Sequence, residues 1–73
     1  MAKNSEILKR FGKRVRELRI RKGITSQMEL ANKAKLDRTY IGGVERGERN
    51  IALINIEKIA HALSVSVKEL FES

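Results

Sequence analysis

Residues 26–46 read SQMELANKAKLDRTYIGGVER, and this stretch decides the fold. Ser26 and Glu29 stand in the S-x-x-E spacing of a capping box, which predicts a helix from about Gln27 to Ala34 with Leu30, Ala31 and Ala34 inward. Asp37 is placed to cap the next helix, about Arg38 to Arg46, and Gly47 stops it. Only Lys35 to Asp37 separate the two. Two short helices joined so tightly are a helix-turn-helix.

The pattern continues on both sides. Ile7, Leu8, Phe11, Val15 and Leu18 share one stripe of a first helix that starts at Asn4 or Ser5 and runs to about Lys22. Arg21 and Lys22 suit its C-terminus, and Gly23 ends it. A fourth helix spans about Leu53 to Leu63, with Leu53, Ile56, Ile59, Ala60 and Leu63 on one face. A fifth opens on a second capping box, Ser66 and Glu69, and ends near Phe71. There is no proline, repeat or low-complexity segment. The reading is all-α: one compact five-helix domain over residues 1–73, with the helix-turn-helix at about 26–46.

Composition narrows the function. Seventy-three residues hold one small core, worth about 3–5 kcal/mol, so self-association is an expected source of further stability. Sixteen Lys and Arg against nine Asp and Glu give +7, and the surplus sits almost wholly in residues 1–22. A polyanionic partner follows. The absence of cysteine excludes a disulfide framework, a thiolate nucleophile and a cysteine zinc site. No apolar run approaches the roughly 20 residues of a membrane span, and the N-terminus has no signal-peptide core, so an intracellular protein is expected.

His61, the only histidine, falls on the outer side of the fourth helix, and Asp37 is the only aspartate. No nucleophile–base pair, metal-ligand cluster or phosphate-cradling loop is present, so neither an enzyme nor a cofactor is expected. The first helix is basic and amphipathic, but the core needs its apolar stripe, which argues against a membrane-surface role. Lys9, Lys13, Arg14, Arg16 and Arg21 add long-range attraction to DNA and cannot specify sequence. Met28 lies off the apolar face of its helix as a partly exposed packing residue.

The third helix carries the information. At 100° per residue, Ile41 and Val44 mark its buried side, while Thr39, Gly42, Gly43 and Arg46 lie opposite and Arg38 stands at the exposed N-terminus. Two glycines inside a helix cost roughly 1 kcal/mol each relative to alanine. Close approach to a groove explains that cost, with Arg38 and Arg46 reaching base edges. Arginine donates two hydrogen bonds to guanine, and threonine offers a hydroxyl and a methyl to thymine. The competing reading is merely a weak, flexible helix.

Lys22-Gly23-Ile24, Ser26-Gln27-Met28-Glu29-Leu30-Ala31 and Asp37 through Asn50 resemble the Cro/CI-type (XRE-like) helix-turn-helix family. With Leu53-Ile54-Asn55-Ile56-Glu57-Lys58-Ile59-Ala60 added, the chain is most similar to the controller proteins of restriction–modification systems. The resemblance covers about residues 11–71 and implies a lambda-repressor-like DNA-binding domain. It implies that Gln27 anchors the DNA backbone, that Arg38, Thr39 and Tyr40 enter the major groove, and that Arg49 also reaches bases. Asn50 and Arg19 would contact phosphate, and Ser26 and Gly43 complete the expected backbone contacts. Arg19 is also placed to pair with Glu45, an acid otherwise awkward on a DNA-binding helix.

Three positions depart from the family pattern. Lys35 stands where the turn usually has glycine, Thr25 looks like one extra residue before the second helix, and Ala52 cannot cap the fourth. Ile54 points away from the core side of that helix, in a nearly neutral C-terminal third with Val65, Val67, Leu70 and Phe71. A two-fold homodimer through about residues 51–73 is expected, with Ile54 and Val65 near the axis and Val67 beside them. The resemblance implies the same. Its target would be double-stranded DNA carrying an imperfect palindrome, its half-sites one turn apart.

The expected function is a sequence-specific transcriptional regulator in the bacterial cytoplasm, nucleoid-associated when bound. The resemblance suggests a controller that activates its own gene and the endonuclease gene at low occupancy and represses at higher occupancy. Activation needs contact with RNA polymerase, for which Glu29 and Asp37 are candidates beside their capping roles. A phage or mobile-element repressor, and an antitoxin-type module binding a protein partner, stay open as alternatives.

Overall fold

A computed structural model describes residues 5–72. Ser5 opens α1 (Glu6–Arg21), its hydroxyl accepting the Leu8 N–H at 3.4 Å. The alternative start at Asn4 lies outside the described residues. Gly23, at φ +77°, turns the chain out of α1. Then follow α2 (Gln27–Ala34), α3 (Arg38–Glu45) and α4 (Leu53–Leu63). No strand occurs among the described residues.

The chain closes on a single 3₁₀ turn, Lys68–Phe71, where a fifth α-helix was expected. The second capping box does form: Ser66 donates from its N–H and its hydroxyl to the Glu69 carboxylate at 3.0 and 3.2 Å. The backbone donor holds the Glu69 carboxyl below the usual glutamate range. Bonds of the i→i+3 type close the segment, such as Leu70 N–H to the Val67 carbonyl at 3.0 Å, and give the tighter 3₁₀ turn. That tighter turn still seats Leu70 fully in the core and tilts the Phe71 ring at 40° against Phe11, with centroids 5.1 Å apart.

Helix α2 packs on α3 and α4, α3 on α1, and the 3₁₀ turn returns to α1. Val15, Leu30, Ile41, Ile59, Leu63 and Leu70 are fully buried, so every element contributes at least one side chain to the core. Each such burial stabilises by about 1.5–3 kcal/mol. Helices α1 and α3 cross at Gly12. A Cβ there would overlap the Val44 carbonyl oxygen and lie 2.8 Å from that of Glu45.

Two apolar assignments are corrected. Ile7 and Leu53 belong to the first turns of α1 and α4, ahead of where the core begins, and stand 55% and 81% exposed. Helical phase alone does not tell where along a helix its neighbour stops. Met28 is about half exposed, as expected. Lys35 does take the left-handed conformation, at φ 58°, and Leu36 N–H closes the turn on the Ala31 carbonyl at 2.9 Å. Ser64 ends α4 in the same way at φ 59°.

Candidate nucleic-acid interface

The residues expected to contact DNA lie mostly at the N-termini of α2 and α3 and in the loop after α3. At α2, the Ser26 hydroxyl accepts the Glu29 N–H at 3.0 Å, while the Glu29 carboxylate accepts the Thr25 N–H at 3.2 Å. The return bond thus goes to Thr25 rather than to the cap residue, which accommodates the extra residue. Asp37 occupies the N-cap position of α3 but makes no capping hydrogen bond, contrary to expectation. Its backbone sits at φ −77° and ψ 142°, and its exposed carboxylate faces solvent. Arg38 and Thr39 are exposed on the first turn, and neither side chain is tied down by a hydrogen bond or ion pair within the described residues.

The one acid within α3 is removed from the surface. Glu45 accepts from Arg19 Nε at 2.7 Å, from Arg19 Nη2 at 3.2 Å and from Gln27 Nε2 at 3.0 Å. Arg19 also donates from Nη1 to the Ile24 carbonyl at 3.1 Å. The side chains of Arg19 and Glu45 are only 7% and 2% exposed. The expected pairing of Arg19 with Glu45 is present, and it holds the guanidinium that was also expected to meet phosphate. With Nε, Nη1 and Nη2 each donating inward, Arg19 neutralises Glu45 and ties α1, the α1–α2 turn and α3 together. Gln27 keeps its position at the start of α2, with its amide turned onto Glu45.

The glycine reading is also corrected. Gly42 and Gly43 are buried. A Cβ on Gly42 would sit 3.2 Å from both Gln27 Oε1 and Arg46 Nη1, and one on Gly43 would sit 2.9 Å from Arg49 Cγ. The helical wheel places both glycines outward correctly but does not include the side chains that lie across them. Their small size makes a seat for Gln27, Arg46 and Arg49. Gly43, an expected backbone contact, is roofed by the Arg49 side chain.

Arg46 and Arg49 each have a second restraint. Arg46 Nε donates to Glu48 at 3.0 Å in an exposed pair. The Arg49 guanidinium carbon lies 5.3 Å from the Tyr40 ring centroid, within cation–π range. Tyr40 is half-buried, and its hydroxyl accepts from Asn55 Nδ2 of α4 at 3.1 Å. Asn50 is exposed beside them. Glu48 and Asn55 were missed at the level of sequence. The spacing of Glu48 from Arg46 could have signalled the first, whereas nothing local points from Asn55 to a tyrosine fifteen residues away.

In the same first turn of α4, Ile54 is 66% exposed and adjoins the still more exposed Leu53. Val67 is 41% exposed, while Val65 packs partly against the core. No helix among the described residues is long and apolar enough to cross a membrane.

Residues 15–70 match the family model described as helix-turn-helix. The control protein C.BamHI of Bacillus amyloliquefaciens is 47% identical over 72 residues, spanning 99% of this chain and 86% of that protein. Among solved structures, the restriction–modification controller protein C.AhdI from Aeromonas hydrophila superposes with a TM-score of 0.84 at 56% identity, covering 88% of this chain and 96% of that one. The controller protein C.Esp1396I, solved as a tetramer in complex with its natural 35 base-pair operator, gives 0.79 at 36% identity, covering 93% and 99%.

Proposed function

Because the chain belongs to the helix-turn-helix family, we propose that it is the controller of a restriction–modification system, reading an operator beside its own promoter. It is a DNA-binding regulator and not an enzyme. The observation that carries the proposal is the state of α3. Its only acid is buried and neutralised, while Arg38 and Thr39 stand free at its first turn and Arg46 and Arg49 lie over its glycine seat. Such a surface offers cationic, bidentate donors to guanine and a hydroxyl and methyl to thymine. Ser26, Gln27 and Asn50 flank it as backbone contacts.

Residues 26–46 form the reading unit, and residues 51–73 the dimerisation region. Leu53, Ile54 and Val67 give that region exposed apolar surface, with Val65 at its edge. A two-fold pair would set two α3 helices ~34 Å apart, on successive major-groove faces of an imperfect palindrome. Low occupancy activates the controller and endonuclease genes, and a second dimer represses them. Asp37 is the better candidate for contacting RNA polymerase, because its carboxylate is unengaged whereas Glu29 is bonded to Thr25. Such a regulator works in the bacterial cytoplasm, on the nucleoid.

Footprinting the DNA upstream of this gene with increasing protein, while transcription is read from the same template, tests the proposal. One protected palindrome with rising transcription, then a second with falling transcription, is the expected result. Repression alone at all concentrations would replace the controller with a simple repressor. No protection at low salt would remove DNA reading altogether and direct the search to a protein partner.

A further inference from the structure

Asn55 belongs to α4, between the exposed Ile54 and the buried Ile56, yet its amide donates to Tyr40 at the DNA-facing end of α3. That direction has a chemical consequence. A phenol hydroxyl has one proton and two acceptor lone pairs. With Asn55 donating into the oxygen, the Tyr40 proton is left to donate elsewhere. We infer that Asn55 is a positioning residue that presents the Tyr40 hydroxyl to DNA as a hydrogen-bond donor, and through the ring fixes the Arg49 guanidinium stacked on it.

The proposal rests on the DNA-reading function above, and the geometry sharpens it. The hydroxyl would pair with an acceptor: a phosphate oxygen, or a base edge such as guanine O6 or thymine O4. Arg49 is confined from two sides, by the Tyr40 ring 5.3 Å from its guanidinium carbon and by the Gly43 surface beneath its side chain. Ring and guanidinium therefore form one unit, anchored at its far end by a residue of the helix that carries the proposed dimer contacts. Tyr40 and Asn55 are both half-buried, so water competes incompletely for their bond.

The experiment is a double-mutant cycle on Kd, measured by anisotropy with a labelled duplex carrying the footprinted site. Tyr40→Phe and Asn55→Ala should each weaken binding about three- to tenfold, the value of one hydrogen bond, and the double variant should be no weaker than the poorer single one. Asn55→Asp keeps the shape of the side chain and reverses the bond. Its carboxylate accepts the phenol proton, so the loss should be larger with Tyr40 present than in the Tyr40→Phe background, where only the added charge acts.

The Asn55 side-chain amide resonances should move in Tyr40→Phe, and far-ultraviolet circular dichroism should show each variant folded. A Tyr40→Phe loss confined to one base pair identifies a base edge, and an equal loss on all sequences identifies phosphate; either supports the proposal. Losses that multiply in the double variant, or an Asn55→Asp effect independent of Tyr40, would overturn it while leaving DNA binding intact. A wild-type chain that protects no site would overturn both.

Discussion

Replacing Glu45 by Gln isolates the buried tie beneath α3. The substitution keeps the side chain's volume but leaves the Arg19 guanidinium charged and almost wholly buried, with a side-chain exposure of 7%. It also turns an amide donor toward groups that are themselves donors, Arg19 and Gln27. Removing one partner of a buried pair costs about 3–5 kcal/mol. The whole domain, at roughly 0.05–0.15 kcal/mol per residue, has about 4–11 kcal/mol of stability. The midpoint of thermal unfolding should therefore fall by roughly 12 °C or more, at about 4–8 °C per kcal/mol. Urea unfolding followed by circular dichroism measures the free energy directly. Arg19→Met combined with Glu45→Leu should recover most of the loss, because no charge is then left buried. By contrast, Glu48→Gln breaks an ion pair whose side chains are 58% and 55% exposed and should cost less than ~1 kcal/mol. A Glu45→Gln variant within ~1 kcal/mol of wild type would refute the reasoning, as would an apolar double variant no more stable than the single one.

Arg38→Ala should weaken operator binding by about 1–3 kcal/mol and relax the preference at one base pair; a panel of substituted duplexes checks both. Gly43→Ala separates stability from function: alanine favours the helix by up to ~1 kcal/mol, but its Cβ displaces Arg49 from Tyr40. Urea unfolding should show no loss of stability while anisotropy shows weaker binding. Lys35→Gly relieves a left-handed lysine at φ 58° and should raise the thermal midpoint by a few degrees, the net of about 1–2 kcal/mol of steric relief against up to ~1 kcal/mol of chain entropy. Ile54→Lys should shift sedimentation toward monomer and weaken operator binding without lowering helix content, since Ile54 is 66% exposed in the isolated chain.

Local rules located the helices because capping and periodicity act over three or four residues. Ser26, Gly23 and the Leu30–Ala31–Ala34 face are all features of that range. The Arg19–Glu45 pair was also legible, because an acid on a basic reading surface calls for a partner. What one sequence window did not contain was the surroundings of each face. Gly42 and Gly43 point outward from α3, yet Gln27 from α2 and Arg49 from the loop cover them. Gly12 sits on α1 with no local reason to be glycine, and its reason is the α3 backbone against it. Leu53 shows the same limit at the end of a helix: its phase is apolar, but no neighbour extends that far. The link from Asn55 to Tyr40 spans two elements and depends on the crossing of their helices, so it became visible only in three dimensions.

Sequence-specific reading by α3 is tested most directly by comparing Kd for the footprinted duplex and for a scrambled duplex of equal length, at physiological salt, with wild type and Arg38→Ala. The wild type should prefer its site by roughly 10³-fold or more, and Arg38→Ala should lose affinity for the site far more than for the scrambled duplex. Equal affinity for both duplexes, or an equal loss on both, would mean that the cationic face of α3 holds DNA by charge alone and reads nothing.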